Sequence, residues 1–205
     1  MNILIFSWRD ITHPLSGGAE QVTFEHAKYW VERGHQVTIF TSFYSKAKRF
    51  EAIDGIKFIR LGYELLGVQI AAFFWYFFGN RQKFDLVIDQ FHGIPFFTPL
   101  YVSSKKLAMI QEVAKEVWLM NHLPQPLNII IGWFGFIIEP FIFLLYKNIT
   151  FMTGSNSAKE DLIKFGIPKS KIKVVNHGVR VYEPTLRPPK ERKKTVIYLG
   201  PLTRD

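Results

Sequence analysis

NILIFSWRDITHPLSGGAEQVTFEHAKYWVERGHQVTIFT, residues 2–41, decides the fold. Its opening apolar run predicts a buried strand over residues 2–7, and QVTIFT predicts a second over Gln36–Thr41. Between them Ala19, Val22, Ala27 and Trp30 keep near-helical spacing, which predicts a helix over Gly18–Arg33. Gly34 stands where a glycine commonly follows a helix C-terminus. Strand, helix and strand in this order read as a parallel α/β unit.

The adjacent glycines Gly17 and Gly18 fall where the loop hands over to the helix. Glycine there admits unusual backbone angles and lets a bulky group approach the main chain. The free N–H groups of a helix N-terminus suit an anion such as a phosphate. A tight turn with no ligand uses glycines in the same way, so both readings stand at this point.

Further strands are expected at Ile56–Arg60, Asp85–Asp89, Leu107–Ile110, Asn148–Thr153 and Lys171–Val175, with the helix SAKEDLIKFG before the last. The expected fold class is therefore α/β, a Rossmann-like doubly wound sheet, mostly parallel, with ligands at the strand C-terminal ends. Residues 1–182 form that domain. Residues 183–194, EPTLRPPKERKK, read as an exposed linker, and TVIYLGPLTRD, residues 195–205, as the start of a second domain.

The 205 residues are 48% hydrophobic and 16% aromatic, with 20 Phe, enough for a substantial core. The absence of cysteine removes disulfides and thiolate metal sites and fits a cytoplasmic setting. A net charge of +9 favours anionic partners. The glycine loop is not GxGxxG, the second strand ends in Thr41-Ser42 rather than an acid, and no GK[ST], GxSxG or HExxH occurs. These absences disfavour nicotinamide dehydrogenases, P-loop nucleotidases, serine hydrolases and zinc proteases. The six histidines show no metal spacing, so no metal is expected, and no nucleic-acid-binding signature appears.

Two apolar segments stand apart, Leu65–Gly79 and Leu127–Lys147. The second approaches the roughly 20 residues that span a bilayer. Glu139 and Pro140 interrupt it, and a mid-membrane acid costs about 2.5–3.5 kcal/mol. An interfacial helix with its aromatic side chains dipping into lipid fits better than a spanning one, with ordinary burial as the other reading. Nearby Lys105 and Lys106 suit an anionic membrane surface.

Four stretches resemble the N-terminal half of a family 4 glycosyltransferase, a two-domain enzyme of GT-B type. They are PLSGGAEQVTFEHAKYWVERGHQVTIFTS, FDLVIDQFHGIPFFTPLY, MTGSNSAKEDLIKFGIPKSKIKVVNHGV and TVIYLGPLTRD. Asn176-His177-Gly178-Val179 departs slightly from the family's Asn-Gly-Val. The resemblance implies transfer of a sugar from a nucleotide-sugar donor to a glycan or lipid-linked acceptor, with retention and without a metal. The N-terminal half would hold the acceptor, and the donor half would follow residue 195. The chain by itself is then expected to be inactive without that domain or a partner chain. The alternative is a non-catalytic, membrane-associated subunit that docks a separate donor-binding chain.

On that resemblance Gly17 and Gly18 would line the cleft near the donor diphosphate. His92 would touch the transferring sugar, or cap its loop. Asp89 would orient an acceptor hydroxyl, or bond to loop backbone. Glu112 and Glu116, four residues apart, fall on one face if their segment is helical, as an acceptor-side loop or a solvated face. Arg9 would reach an anionic acceptor, and Ser16 would cap the helix at the substrate loop.

Overall fold

A computed structural model describes residues 1–64, 66–79, 82–91, 93–121, 123–178 and 193–196. The predicted linker, apart from its last two residues, and nearly all of the predicted second-domain start therefore lie outside the described residues. So does His92.

The opening stretch folds as read. Strand β1 spans Asn2–Phe6, helix α1 Gly18–Glu32 and strand β2 Gln36–Thr41. Then come β3 (Phe50–Ile53), β4 (Ile56–Arg60), α2 (Leu66–Phe74), β5 (Leu86–Phe91) and β6 (Lys105–Ile110). The chain continues through α3 (Leu127–Leu145), β7 (Thr150–Thr153), α4 (Asn156–Lys164) and β8 (Ile172–Val174). One eight-stranded sheet results, ordered β3-β4-β2-β1-β5-β6-β7-β8, parallel except for β3 against β4. It is the predicted doubly wound α/β fold.

Strand β3 was not expected. It forms a hairpin with β4 through Asp54 and Gly55, both at positive φ (50° and 79°), the backbone that a two-residue turn of this hand requires.

Side-chain alternation assigns the helices to the two faces. Ile3 and Ile5 of β1 pack in one core cluster with Ala27 of α1, while Leu4 and Phe6 pack with Val68 and Ala72 of α2. In register, Leu4 pairs with Val87, and on β5 and β6 Phe91 pairs with Ile110, so these share Leu4's side of the sheet. Phe91 and Ile110 pack with Ile142 and Phe143 of α3 and Leu162 of α4. Helices α2, α3 and α4 therefore cover one face and α1 the other, as a doubly wound sheet requires.

Helix α3 is inverted in character. Its sheet-facing stripe, Gly132, Gly135, Glu139 and Ile142, is buried, whereas Ile130, Phe134, Ile137 and Phe141 on the opposite stripe are about 60% exposed. The glycines make room for Trp118. A Cβ at Gly135 would lie 2.2 Å from Trp118 Cε3, and one at Gly132 would lie 2.8 Å from the Trp118 carbonyl oxygen. Buried Glu139 accepts from the backbone N–H groups of Ala114 (3.0 Å) and Lys115 (2.9 Å), fastening the segment after β6 to the helix.

Candidate active site at the C-terminal sheet edge

The strand order reverses around β1, whose neighbours β2 and β5 are reached in opposite directions, and a crevice opens beyond the strand ends at such a point. Three loops meet there, following β1, β5 and β6.

The β1 loop is held by charge. Arg60, at the end of β4 and fully buried, donates from Nε to Asp10 Oδ2 (2.7 Å), from Nη2 to Thr12 Oγ1 (3.0 Å) and from Nη1 to Glu51 and the Lys48 carbonyl (2.9 Å each). Asp10 Oδ1 also accepts from Thr12 N–H (2.8 Å) and Thr12 Oγ1 (2.6 Å). Arg9 pairs with Glu64 (2.8 Å), and this bond holds the Glu64 carboxyl below its ordinary range. His13 Nδ1 accepts from Leu15 N–H (3.1 Å), which assigns the ring proton to Nε2, 2.9 Å from Glu64. Arg9 is thus committed within the loop rather than directed outward.

At the head of α1, Ser16 does not cap. Its N–H donates to the His13 carbonyl, and Gly17 takes the N-cap position with φ −134°. Glu20 Oε2 accepts from Gly17 N–H (2.7 Å). The first-turn N–H groups of Gly18 and Ala19 are left without intrahelical partners. Nothing inside the fold demands these glycines: neither has a positive φ, a Cβ at Gly18 meets no atom within 4 Å, and one at Gly17 makes an ordinary 3.6 Å contact. The space above Gly18 is open.

Asp89 of β5 is buried and saturated. It accepts from Phe96 N–H (3.0 Å), Thr98 N–H (3.2 Å), Thr98 Oγ1 (2.8 Å) and Tyr146 OH (2.5 Å). Of its two readings the structure has the loop-anchoring one. Burial pushes this carboxyl above its ordinary range, against the pull of its donors. Its stabilising contribution is therefore complete below the unfolded value of about 3.8 and is lost as pH rises through the folded value. Urea midpoints across a pH series should show this decline for the wild type and a flatter profile for Asp89→Asn. Equal slopes would mean that Asp89 does not set the pH dependence.

A cavity of about 240 Å³ occupies the crevice, lined by Trp8 after β1, Ile94 after β5, Glu112, Val117 and Trp118 after β6, and Gln69 of α2. Glu112 is thus brought to the site as a candidate acceptor-side residue. Glu116 lies in the 3₁₀ segment Lys115–Met120, with its side chain outside the described set. Gln69, Trp8 and Trp118 were not foreseen. A second convergence was also missed: His177 Nε2 lies 2.7 Å from Gln111 Oε1, seated where Gly154 has no side chain. Burial, and secondarily the nearby His177, push the His26 imidazole on α1 below its ordinary value. Among the described residues no group of three or more His, Asp and Glu is placed to hold a metal ion.

This fold is that of one half of a GT-B glycosyltransferase. The sequence profile of Glycosyltransferase Family 4 matches residues 16–182, and the chain belongs to that family. Among solved structures, sucrose-phosphate synthase from Thermosynechococcus elongatus superposes with a TM-score of 0.58 at 13% identity, over 87% of this chain and 48% of that one. HepE from Anabaena, solved with UDP-glucose, gives a TM-score of 0.52 at 13% identity, over 87% and 44%. Its complex with UDP and glucose gives 0.53 at 13%, over 87% and 45%. The chain thus spans a little under half the length of these proteins. No curated protein sequence matches it.

Proposed function

We propose that this chain is the acceptor-side half of a retaining glycosyltransferase that works on a lipid-linked acceptor at the inner face of a membrane. A further domain or a partner chain supplies most of the donor site. The observation that carries the reading is the open, conformationally unneeded glycine pair beside a crevice at the sheet's switch point, in a chain of this family. The donor is a nucleotide-sugar, as in the HepE complex with UDP-glucose. In the reaction the bond between the sugar's anomeric carbon and the diphosphate breaks, the oxygen of an acceptor hydroxyl takes its place on that carbon, and the hydroxyl proton passes to the departing diphosphate. The N–H groups at Gly18 and Ala19 stabilise charge on the departing diphosphate, and no metal is needed for that role. His92 contacts the transferring sugar, Glu112 faces the acceptor, and Asp89 holds the loop after β5 in place.

Membrane contact rests on the inverted helix. Ile130, Phe134, Ile137 and Phe141 form an uncharged stripe on the outside of α3, on the sheet face that also carries α2. Phe74, Phe77 and Phe78, at the end of α2 and in the π-turn Trp75–Gly79, are exposed as well. Each such side chain gains about 1.5–3 kcal/mol when it leaves water. The folded protein should float with liposomes, more strongly when anionic lipid is included, and Phe134→Ser/Ile137→Ser/Phe141→Ser should bind at least about tenfold more weakly. A wild-type sample that stays at the bottom of the gradient with both lipid compositions would remove the membrane from this reading.

A further inference from the structure

We infer that the 240 Å³ cavity receives the first part of the acceptor's apolar chain and that the acceptor's reacting end is hydroxylated and uncharged rather than a phosphate. This deepens the acceptor-side reading and rests on it. The walls formed by Trp8, Ile94, Val117 and Trp118 are apolar. An apolar cavity of about 150 Å³ holds a benzene ring, so this one takes roughly ten carbons. Val117 lines the cavity and is also 58% exposed, so the cavity opens beside the apolar surface of Leu119 and Met120. Trp118, one wall, lies on Gly132 and Gly135 of the buried stripe of α3.

The polar lining selects the head group. Gln69 is 7% exposed; its Nε2 donates to the Ile94 carbonyl (3.3 Å), and its Oε1 is buried without a partner. A buried amide oxygen is satisfied only by a donor, and Gln69 is among the residues lining the cavity. Glu112, on the same wall, is a carboxylate and accepts as well. Among the described residues none that lines the cavity is cationic. Two described cations near it are engaged elsewhere: Arg9 with Glu64, and Lys115 with Asp161 at 2.5 Å. A phosphate at this wall would meet a carboxylate and an amide oxygen, with no cation among the described lining residues to neutralise it. Sugar or alcohol hydroxyls satisfy both groups. The substrate class is an alkyl or isoprenoid chain that already carries a hydroxylated head, so an earlier step must have attached a sugar or polyol to the lipid.

Octyl glucoside and octyl phosphate share one chain and differ in the head, and both can be titrated below their micelle concentrations while tryptophan fluorescence is followed. Octyl glucoside should bind at least tenfold more tightly. Gln69→Leu should shrink that preference severalfold, and the exposed Glu112→Lys should reverse it towards octyl phosphate. Ile94→Trp, which fills the cavity, should weaken both ligands. Equal or tighter binding of octyl phosphate to the wild type overturns the inference, as does a preference that neither Gln69→Leu nor Glu112→Lys alters. Sugar transfer is read separately, with the donor half supplied. Head-group-selective binding without transfer to any lipid acceptor removes the transferase assignment and keeps the cavity. Transfer that Gln69→Leu and Glu112→Lys leave unchanged does the reverse.

Discussion

Gly18→Val, assayed with the donor half present, should lose about a hundredfold in sugar transfer while its melting temperature stays within a few degrees of wild type. The two halves of that expectation have separate causes. Stability is spared because the new Cβ enters open space and the backbone at Gly18 does not need a positive φ. Turnover is lost because the branched side chain fills the approach to the Gly18 and Ala19 N–H groups, where the leaving diphosphate is proposed to sit. Removing a single preorganised donor of this kind costs about 10²–10³ in rate. Gly34→Val is the converse control: at φ +82° it strains the chain far from the crevice. Unchanged turnover in a stable Gly18→Val protein would sink the glycine-loop role.

Arg60→Met should destabilise the protein by about 3–5 kcal/mol, because it strands a buried carboxylate. Asp10 has no exposed surface of its own side chain and relies on Arg60 Nε at 2.7 Å. Glu51 and the carbonyl of Lys48 lose their shared donor at the same time. The double variant Arg60→Met/Asp10→Leu should recover much of the loss, since no buried charge is then left alone. Urea denaturation of the two single variants and the double closes the cycle. A single-variant loss below about 1 kcal/mol would show that the β1 loop does not depend on this pair.

The central fold was legible because its strands are buried on both faces and read as short apolar runs. Ile56–Arg60 and Gln36–Thr41 appear with the predicted bounds, and the other shared elements differ only at their ends. β3 was overlooked although Asp54-Gly55 carries the turn signal, because Phe50–Ile53 is only partly buried and alternates weakly. Ser16 looked like a cap by residue type, but Ser16 N–H turns back to His13 and the next residue, Gly17, takes the cap. The cavity could not be read from local sequence. Gln69 belongs to an otherwise apolar helix, and Trp118 reaches the crevice only because α3 lies beneath it. The Gly132/Gly135 pair, two small residues in a run of large apolar ones, was the signal that something packs there. The all-round apolar composition of α3 likewise hid which stripe faces outward; only the packing of its neighbours settles that.

Those two glycines also set a limit on engineering this protein. A helix-propensity table recommends alanine at both positions, with a gain of up to about 1 kcal/mol each. Here the added methyl groups would collide with the Trp118 ring and backbone, so the rigidifying change would evict a wall of the cavity. Any stabilisation campaign on this chain should treat positions 132 and 135 as fixed and seek its improvements on the exposed side of α1 or along the β3 edge.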